Sequence, residues 1–438
     1  MAMIRPEIEM KDSGIEWIGN IPNDWNIRRL KYVLNERKEK NDPLVTDNIL
    51  SLSAEQGVIP FSERIGGGNK PKEDLTAYKV VRAGDIVLNS MNVLSGAVHY
   101  SNHTGCVSPV YYMLYNENDI ITRYYNLVFQ TEAFQRSLRG LGNGILIKET
   151  DEGKLNTIRM RIPMEKLSKV ELPFPSIDEM KMIVESTEPI RSKIDEIIAE
   201  AKASIDEYKE LRESVISNAT TRGIKKNRCM KSSGVEWLPE IPADWNVLSP
   251  KVVFTQRKDR AIKGERQLTA SQKHGIMYQD DYMKEEGVRI VTVEKDFSIL
   301  KHVEPDDFVI SMRSFQGGLE YSYLRGCISS AYVMLIPNHK YVYSEYYKWF
   351  FKSDKYINAL QSTSDLIRDG QALRYANFVK LKLFDIPIKE QKEIADYLNK
   401  EVPKIDSLIA EKESLINDLE AYKKSLIYEV VTGKRRVV

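Results

Sequence analysis

The positions Ile190, Ile194, Ile197, Ala201, Ser204, Tyr208, Leu211 and Val215 are spaced alternately four and three apart, and most are apolar. That spacing is the seam of a coiled coil. A second seam runs through Ile405, Leu408, Leu415, Leu419, Tyr422 and Leu426, with Lys412 opposite Ala201. The pairing residues expected are Ile194, Ile197, Tyr208 and Leu211 in the first seam, and Ile405, Leu408, Leu415 and Leu419 in the second. Each seam predicts a helix of about 30 residues, about 45 Å long. Pro189 and Pro403 stand just ahead of the seams, where proline is tolerated as a first helical residue. Shorter helices are expected before them, at 177–186 and 390–398.

The remainder has a different rhythm. Short β-rich runs fall at 85–88, 107–114, 289–293, 308–311 and 328–336, separated by Gly, Asn, Asp and Pro stretches such as 65–71 and 139–144. Helices are expected at 124–138 and 346–360, where Tyr125, Phe129 and Phe134 match Tyr347, Phe351 and Tyr356. Two mixed domains are thus predicted, at about 20–172 and 240–386.

These matches belong to a general duplication. KDSGIEWIGNIPNDWN (11–26) returns as KSSGVEWLPEIPADWN (231–246), and GCVSPVYYML (105–114) returns as GCISSAYVML (326–335). IDEIIAEAKASIDEYKEL (194–211) returns as IDSLIAEKESLINDLEAY (405–422). The chain is two copies of one unit of about 215 residues, a period too long for a solenoid. The fold class is α+β: two mixed domains separated by two long helices with an internal pseudo-two-fold repeat. Given the order domain, helix, domain, helix, helices that pair along their seams run antiparallel, with one domain at each end. A rod of about 45 Å spans about 13 base pairs, and a two-fold protein suits a target with two halves, such as DNA. An ordinary packed helix pair with no measuring role is the alternative.

Composition narrows the class. Of 438 residues, 42% are hydrophobic and 29% charged, ordinary values for a soluble protein. No apolar run approaches a membrane span, and MAMIRPEIEM has no signal-peptide stretch. Three cysteines make a disulfide framework unexpected and point to a reducing cytoplasm. The net charge of +1 argues against a protein coated in basic residues, yet basic clusters stand at matching places in both copies. One holds Arg28, Arg29, Lys31, Arg37, Lys38 and Lys40; the other holds Lys251, Arg257, Lys258, Arg260, Lys263 and Arg266.

SGIEWIGNIPNDW (13–25) and SGVEWLPEIPADW (233–245), LPFP (172–175) and IPIKEQ (386–391), and the helix ends TTRG (220–223) and VTGK (431–434) occur in order and in duplicate. On these pieces the chain resembles, over essentially its whole length, the specificity subunit of type I restriction-modification systems. The resemblance implies a first target recognition domain at 1–172, a helical region at 173–230, a second recognition domain at 231–386 and a second helical region at 387–438. Each recognition domain would read one half of a split sequence in double-stranded DNA, and the helices would set the gap. The helices would also dock two methyltransferase subunits and, through them, the restriction and translocase subunits. The chain itself would catalyse nothing and bind no cofactor; S-adenosylmethionine, ATP and magnesium would reside on the partners. Met180 departs from the family pattern, which has glutamine there.

A search for chemistry fits that implication. There is no GxGxxG, no GxxxxGK[ST] and no Asn/Asp-Pro-Pro-aromatic motif. His103 and Cys106 have metal-ligand spacing, but the second copy has Leu324 in place of His103, and no further ligands complete a zinc set. Cys106 and Cys327 read as buried core residues, and the twinned Trp17/Trp237 and Trp25/Trp245 as core anchors, with stacking on bases as the alternative. The acidic run 304–307 lacks the Glu-x-Lys strand of a nuclease.

Base readers are expected where the copies diverge. The first divergent stretch offers Asn89, Ser90 and Asn92 in one copy and Ser311, Arg313, Ser314 and Gln316 in the other. The second, 142–154 against 362–371, offers Asn143 and Lys148, and Arg368 and Gln371. Arg28, Arg29, Arg257 and Lys258, from the basic clusters, are further candidate DNA contacts, to bases or to phosphates. Divergence between copies predicts two unlike half-sites. A coiled-coil adaptor that binds proteins without reading DNA is the alternative function.

Overall fold

The computed structural model describes residues 3–437 apart from 55, 65–69, 144–146, 150–154, 158–160, 291, 294–296, 312–313 and 364–372. It divides into two compact units: Met1–Ala201 with Ser414–Val438, and Lys202–Glu413. These units cut across the order of the repeat. Each contains one mixed domain, the start of one long helix and the end of the other.

The first unit is built on an antiparallel sheet in the order Val98–Tyr100, Ile86–Asn89, Tyr111–Tyr115, Asn35–Arg37. The second unit repeats it with Glu320–Tyr321, Phe308–Ile310, Val333–Pro337 and Phe254–Arg257. Successive strand residues point to opposite faces, so an unbroken apolar run needs cover on both sides. Both sides are covered. Ile86 and Leu88 enter the main core, while Val87 joins Leu50, Val58 and Met113 in a smaller one. Phe308, Ile310 and Val309 divide in the same way.

Several local expectations are corrected. The run 107–114 is two strands, Gly105–Val107 and Tyr111–Tyr115, in different sheets. A turn closed by the Tyr111 N–H on the Ser108 carbonyl (3.1 Å) separates them, with Pro109 inside it. The same break divides Gly326–Ile328 from Val333–Pro337. Arg289, Ile290, Thr292 and Val293 form no strand. The Gln267 side chain satisfies both backbone groups of Val293, in place of a neighbouring strand. The expected helix 124–138 is a pair, Asp119–Phe129 and Glu132–Ser137. The Thr131 hydroxyl donates to the Val128 carbonyl (2.7 Å) and accepts from the Phe134 N–H (3.3 Å), ending one helix and capping the next. Ser353 breaks the matching pair, Ser344–Phe350 and Asp354–Ser362.

The long helices, Ile177–Arg222 and Ile388–Val431, run without interruption through Pro189 and Pro403. Internal proline costs about 3 kcal/mol because a backbone donor is lost. Burial on both sides of each proline offsets this: Met180, Ile183 and Val184 before Pro189, and Ile194, Ile198 and Ala201 after it. Ile394, Leu398 and Val402 precede Pro403, and Ile405 follows it. The segments that share a unit run antiparallel. In the first unit Lys423 pairs with Asp195, and in the second Arg212 donates to Asp406 at 2.7 Å.

The buried stripe of the first long helix passes through Ile194, Ile198, Ala201, Ile205, Ile216 and Ala219. It drifts one position from the expected seam, leaving Ile197 and Tyr208 half-buried and Leu211 exposed. In the second, Val402, Ile405, Ile416, Leu426 and Val430 are buried, Leu419 is half-buried, and Leu408 and Leu415 are exposed. A straight α-helix slips against a 3.5-residue repeat, so a seven-residue pattern alone does not fix which positions stay inside.

Trp25 and Trp245 are fully buried where helix starts meet helix ends. Trp25 Nε1–H donates to Glu179 at 2.7 Å and Trp245 Nε1–H to Glu390 at 3.3 Å. Arg5 and Arg228 pair with the same two carboxylates. Beside them Gln391 donates to the carbonyls of Tyr341 (2.7 Å) and Ile386 (2.8 Å) and accepts from the Tyr343 N–H (2.8 Å). Its counterpart Met180 is equally buried and packs among apolar neighbours, so the two units solve this joint differently. Gln391→Met is expected to destabilise the second unit by about 2–4 kcal/mol, because three backbone groups lose their partner. Urea unfolding measures this; a loss under 1 kcal/mol would contradict it.

Candidate nucleic-acid interface

In each unit the first divergent stretch follows a central sheet strand. Asn89 and Ser90 are buried, and only Asn92 is exposed. Asn89 Oδ1 accepts from the Met91 N–H at 3.0 Å, and the Ser90 hydroxyl donates to the Val110 carbonyl at 2.7 Å. These two shape the loop from within. The Ser90 carbonyl accepts from the Ile162 N–H at 2.9 Å. Asn143 is exposed, pairs through its backbone with Arg161, and accepts from Lys166 Nζ at 3.0 Å. The fold therefore brings the two divergent stretches of the first copy together. Lys148 stands on the strand Ile147–Glu149, its side chain outside the described residues.

In the second unit Ser311 and Ser314 are buried, and the Ser311 N–H donates to Ser314 Oγ at 2.8 Å. Ser314 opens the short helix Ser314–Gly317. Arg313, Arg368 and Gln371, and the side chain of Gln316, lie outside the described residues.

The basic candidates divide into two kinds. Arg28 and Arg29 are exposed on the strand Asn26–Arg29, which pairs with Glu171–Phe174 away from the four-stranded sheet. Arg28 lies 3.9 Å over the Phe174 ring and Arg29 is 3.8 Å from Glu171. Lys258 is exposed. Arg257 is committed elsewhere: its Nε and Nη2 donate to the two oxygens of Asp307 at 2.7 and 3.0 Å. Burial pushes the Asp307 carboxyl up, and the guanidinium opposes that shift. Arg37 holds buried Asp85 in the same way, at 2.8 and 3.0 Å. This twinned pair belongs to the scaffold: the guanidinium of Arg257, a candidate DNA contact, is held by Asp307. The signal lay in the repeat, since Arg and Asp match at both positions.

The acidic run is equally occupied. Glu304 accepts from His302 Nε2 at 2.8 Å, and Asp306 pairs with His339 at 2.9 Å. Glu265 faces the other ring nitrogen of His302 at 2.6 Å. Burial acts to lower the His302 pKa, but the bonds to Glu304 and Glu265 outweigh it and hold the value above 6.5. A raised folded-state pKa gives stability that is complete below pH 6.5 and lost as pH rises through the folded value. His302→Gln is therefore expected to flatten the fall in melting temperature above pH 6.5, with little change above the transition. Parallel slopes for the two proteins would contradict this.

Cys106 and Cys327 are buried on matching strands. Among the described residues no group of three or more His, Cys, Asp or Glu is placed to hold a metal ion, and no helix is long and apolar enough to cross a membrane. A basic set that the sequence pattern did not single out comes from three separate segments of the first unit: Arg136 and Arg139, Arg191, and Lys423 and Lys424.

Two repeat-related mixed units carried by two long helices define a known architecture. The fold is similar to a solved structure described as the structural basis of complex assembly and conformational transition of the type I R-M system. The TM-score is 0.67 at 12% identity, covering 94% of this chain and 99% of that one. In sequence, the chain is 23% identical over 451 residues to the putative type I restriction enzyme MjaX specificity subunit of Methanocaldococcus jannaschii, covering 96% of each. It is 21% identical to the MjaVIII specificity subunit of the same organism, over 95% of this chain and 94% of that one. No protein-family model matches. The chain thus resembles type I restriction enzyme specificity subunits along nearly its whole length.

Proposed function

We propose that the chain is the non-catalytic DNA-recognition subunit of a type I restriction-modification complex. Residues 1–172 and 231–386 form its two recognition domains, each reading one half of an asymmetric split sequence in double-stranded DNA. The helical regions 173–230 and 387–438 dock two methyltransferase subunits and, through them, the restriction and translocase subunits. The observation that carries this reading is the end-to-end similarity to two specificity subunits. Supporting it, the loops that follow the same central strand differ between the copies: Asn89, Ser90 and Asn92 in one, Ser311, Arg313 and Ser314 in the other. Binding combines salt-dependent phosphate contacts with base readout at two places, and linkage of the two readers raises affinity over either alone.

The test is a map of methylated sites in genomic DNA from cells with and without the gene for this chain. The expected result is loss of one split motif with unlike halves and a fixed gap. An unchanged map, in cells whose methyltransferase subunits are expressed, would favour a protein-binding adaptor.

A further inference from the structure

The first unit contains a groove of about 710 Å³ between its mixed domain and the long-helix segments. Arg136, Arg139, Arg191, Lys423 and Lys424 line it, against the carboxylates Glu132 and Asp195. Both carboxylates are engaged, Glu132 by Arg136 and Asp195 by Lys423. Arg191 is half-buried, and its enclosed Nε has no hydrogen-bond partner among the described residues. Its charged neighbours are Asp195 and Glu188, and Glu188 is bonded by Arg123 at 3.3 Å. Desolvation pushes the Arg191 pKa down, the mark of a cation whose neighbours only partly compensate its burial. His99 also lines the groove; Ala54 and Gln130 occupy its two ring nitrogens, and burial holds its pKa below the ordinary value.

The repeat supplies an internal control. Arg136, Arg139 and Arg191 correspond to Asn358, Gln361 and Val402, and Lys424 corresponds to Glu213. In the second unit Glu213 and Asp354, the counterpart of Glu132, face each other; burial and that neighbour push the Glu213 carboxyl up. The same fold therefore tolerates an acidic surface at this position. Lys423 keeps a cationic counterpart, Arg212, which pairs with Asp406 as Lys423 pairs with Asp195; the other four basic residues belong to one copy, and folding does not require them.

We propose that this groove is a phosphate site, which takes either a stretch of DNA phosphodiester backbone or a free phosphate ligand. Several convergent guanidinium and ammonium groups match phosphate oxygens in charge and donor geometry. The DNA source rests on the recognition function proposed above; the free-phosphate source does not.

The test converts the groove to the residues of its counterpart, in the full-length chain: Arg136→Asn, Arg139→Gln and Lys424→Glu together, with Lys424→Glu alone as a second variant. Exposed Lys209→Glu matches the two-charge change of Lys424→Glu, and Lys209→Glu with exposed Lys202→Glu matches the four-charge change of the triple variant. One arm measures binding of a labelled duplex of arbitrary sequence across a salt series. The other measures inorganic phosphate and pyrophosphate by calorimetry. If backbone occupies the groove, the triple variant flattens the slope of log affinity against log salt by about two to three. Its duplex affinity at low salt also falls about tenfold or more, with the charge-matched control close to the parent. If a free phosphate ligand occupies it, duplex binding is unchanged, and the parent binds phosphate or pyrophosphate while the triple variant does not. Equality with the charge-matched control in both arms overturns the proposal. A parent that binds no duplex even with methyltransferase subunits added favours the protein-binding adaptor over the recognition function, and the calorimetric arm still decides the groove.

Discussion

Replacing Arg257 with alanine is expected to destabilise the second unit by about 3–5 kcal/mol, because it strands a buried carboxylate. Asp307 is 1% exposed at its side chain and receives two guanidinium hydrogen bonds. His302 is the other basic group that acts on Asp307, but it makes no hydrogen bond to it that replaces those of the guanidinium, and the site is buried. Arg37→Ala is expected to act likewise in the first unit through Asp85. Lys258, next in sequence and exposed, gives the contrast: its alanine variant should change stability by less than about 0.5 kcal/mol. If Lys258 contacts phosphate, that variant lowers affinity equally on all sequences and reduces the salt slope by about one. Urea unfolding and duplex binding on the same preparations separate the two roles. An Arg257→Ala protein within 1 kcal/mol of the parent would return Arg257 to the list of DNA contacts.

Gly433→Ala should cost about 2–5 kcal/mol, the sum of a left-handed backbone penalty and an overpacked joint. Gly433 closes the second long helix with φ of +73°, and an added Cβ would lie 2.5 Å from Pro22 Cγ and 3.1 Å from the Trp25 ring. Neither neighbour is a flexible side-chain end, so the helix terminus or the tryptophan must move. Trp25 is tied to Glu179 at the start of the first long helix, so one methyl group disturbs three chain segments. Gly223 ends the first helix in the same conformation, and its Cβ would meet Arg228 and Glu390. Gly140, with open space around it and no positive φ, is the control, expected to change stability by less than about 0.5 kcal/mol. Thermal unfolding ranks them; a melting temperature for Gly433→Ala equal to that of Gly140→Ala would show that the joint can relax.

Much of this architecture was legible in the chain. The duplication, the two long helices, the mixed domains and the buried Trp25 and Trp245 follow from repeats and periodicities visible within a few turns or strands. Such patterns report which residues share a face of one element. They do not report what that face meets, and there the expectations failed. Pro189 and Pro403 looked like helix starts until burial on both flanks kept the helices continuous. Arg257 stood in a basic cluster as a candidate DNA contact, and only the fold brought Asp307 beneath it. Ser90 and Ser314 looked like readers, yet each is spent shaping its own loop.

The sequence by itself determined the repeat, the α+β class and the helical seams, because local periodicity and side-chain chemistry suffice for them. Tertiary structure decided which helix end completes which domain. The end of the second helix closes the first unit, where the Val431 carbonyl accepts from the Tyr124 hydroxyl. It also assembled the basic groove, whose cations come from segments near residues 136, 191 and 424. Contacts between residues so far apart in the chain leave no period in the sequence; only burial of the shared core brings them together.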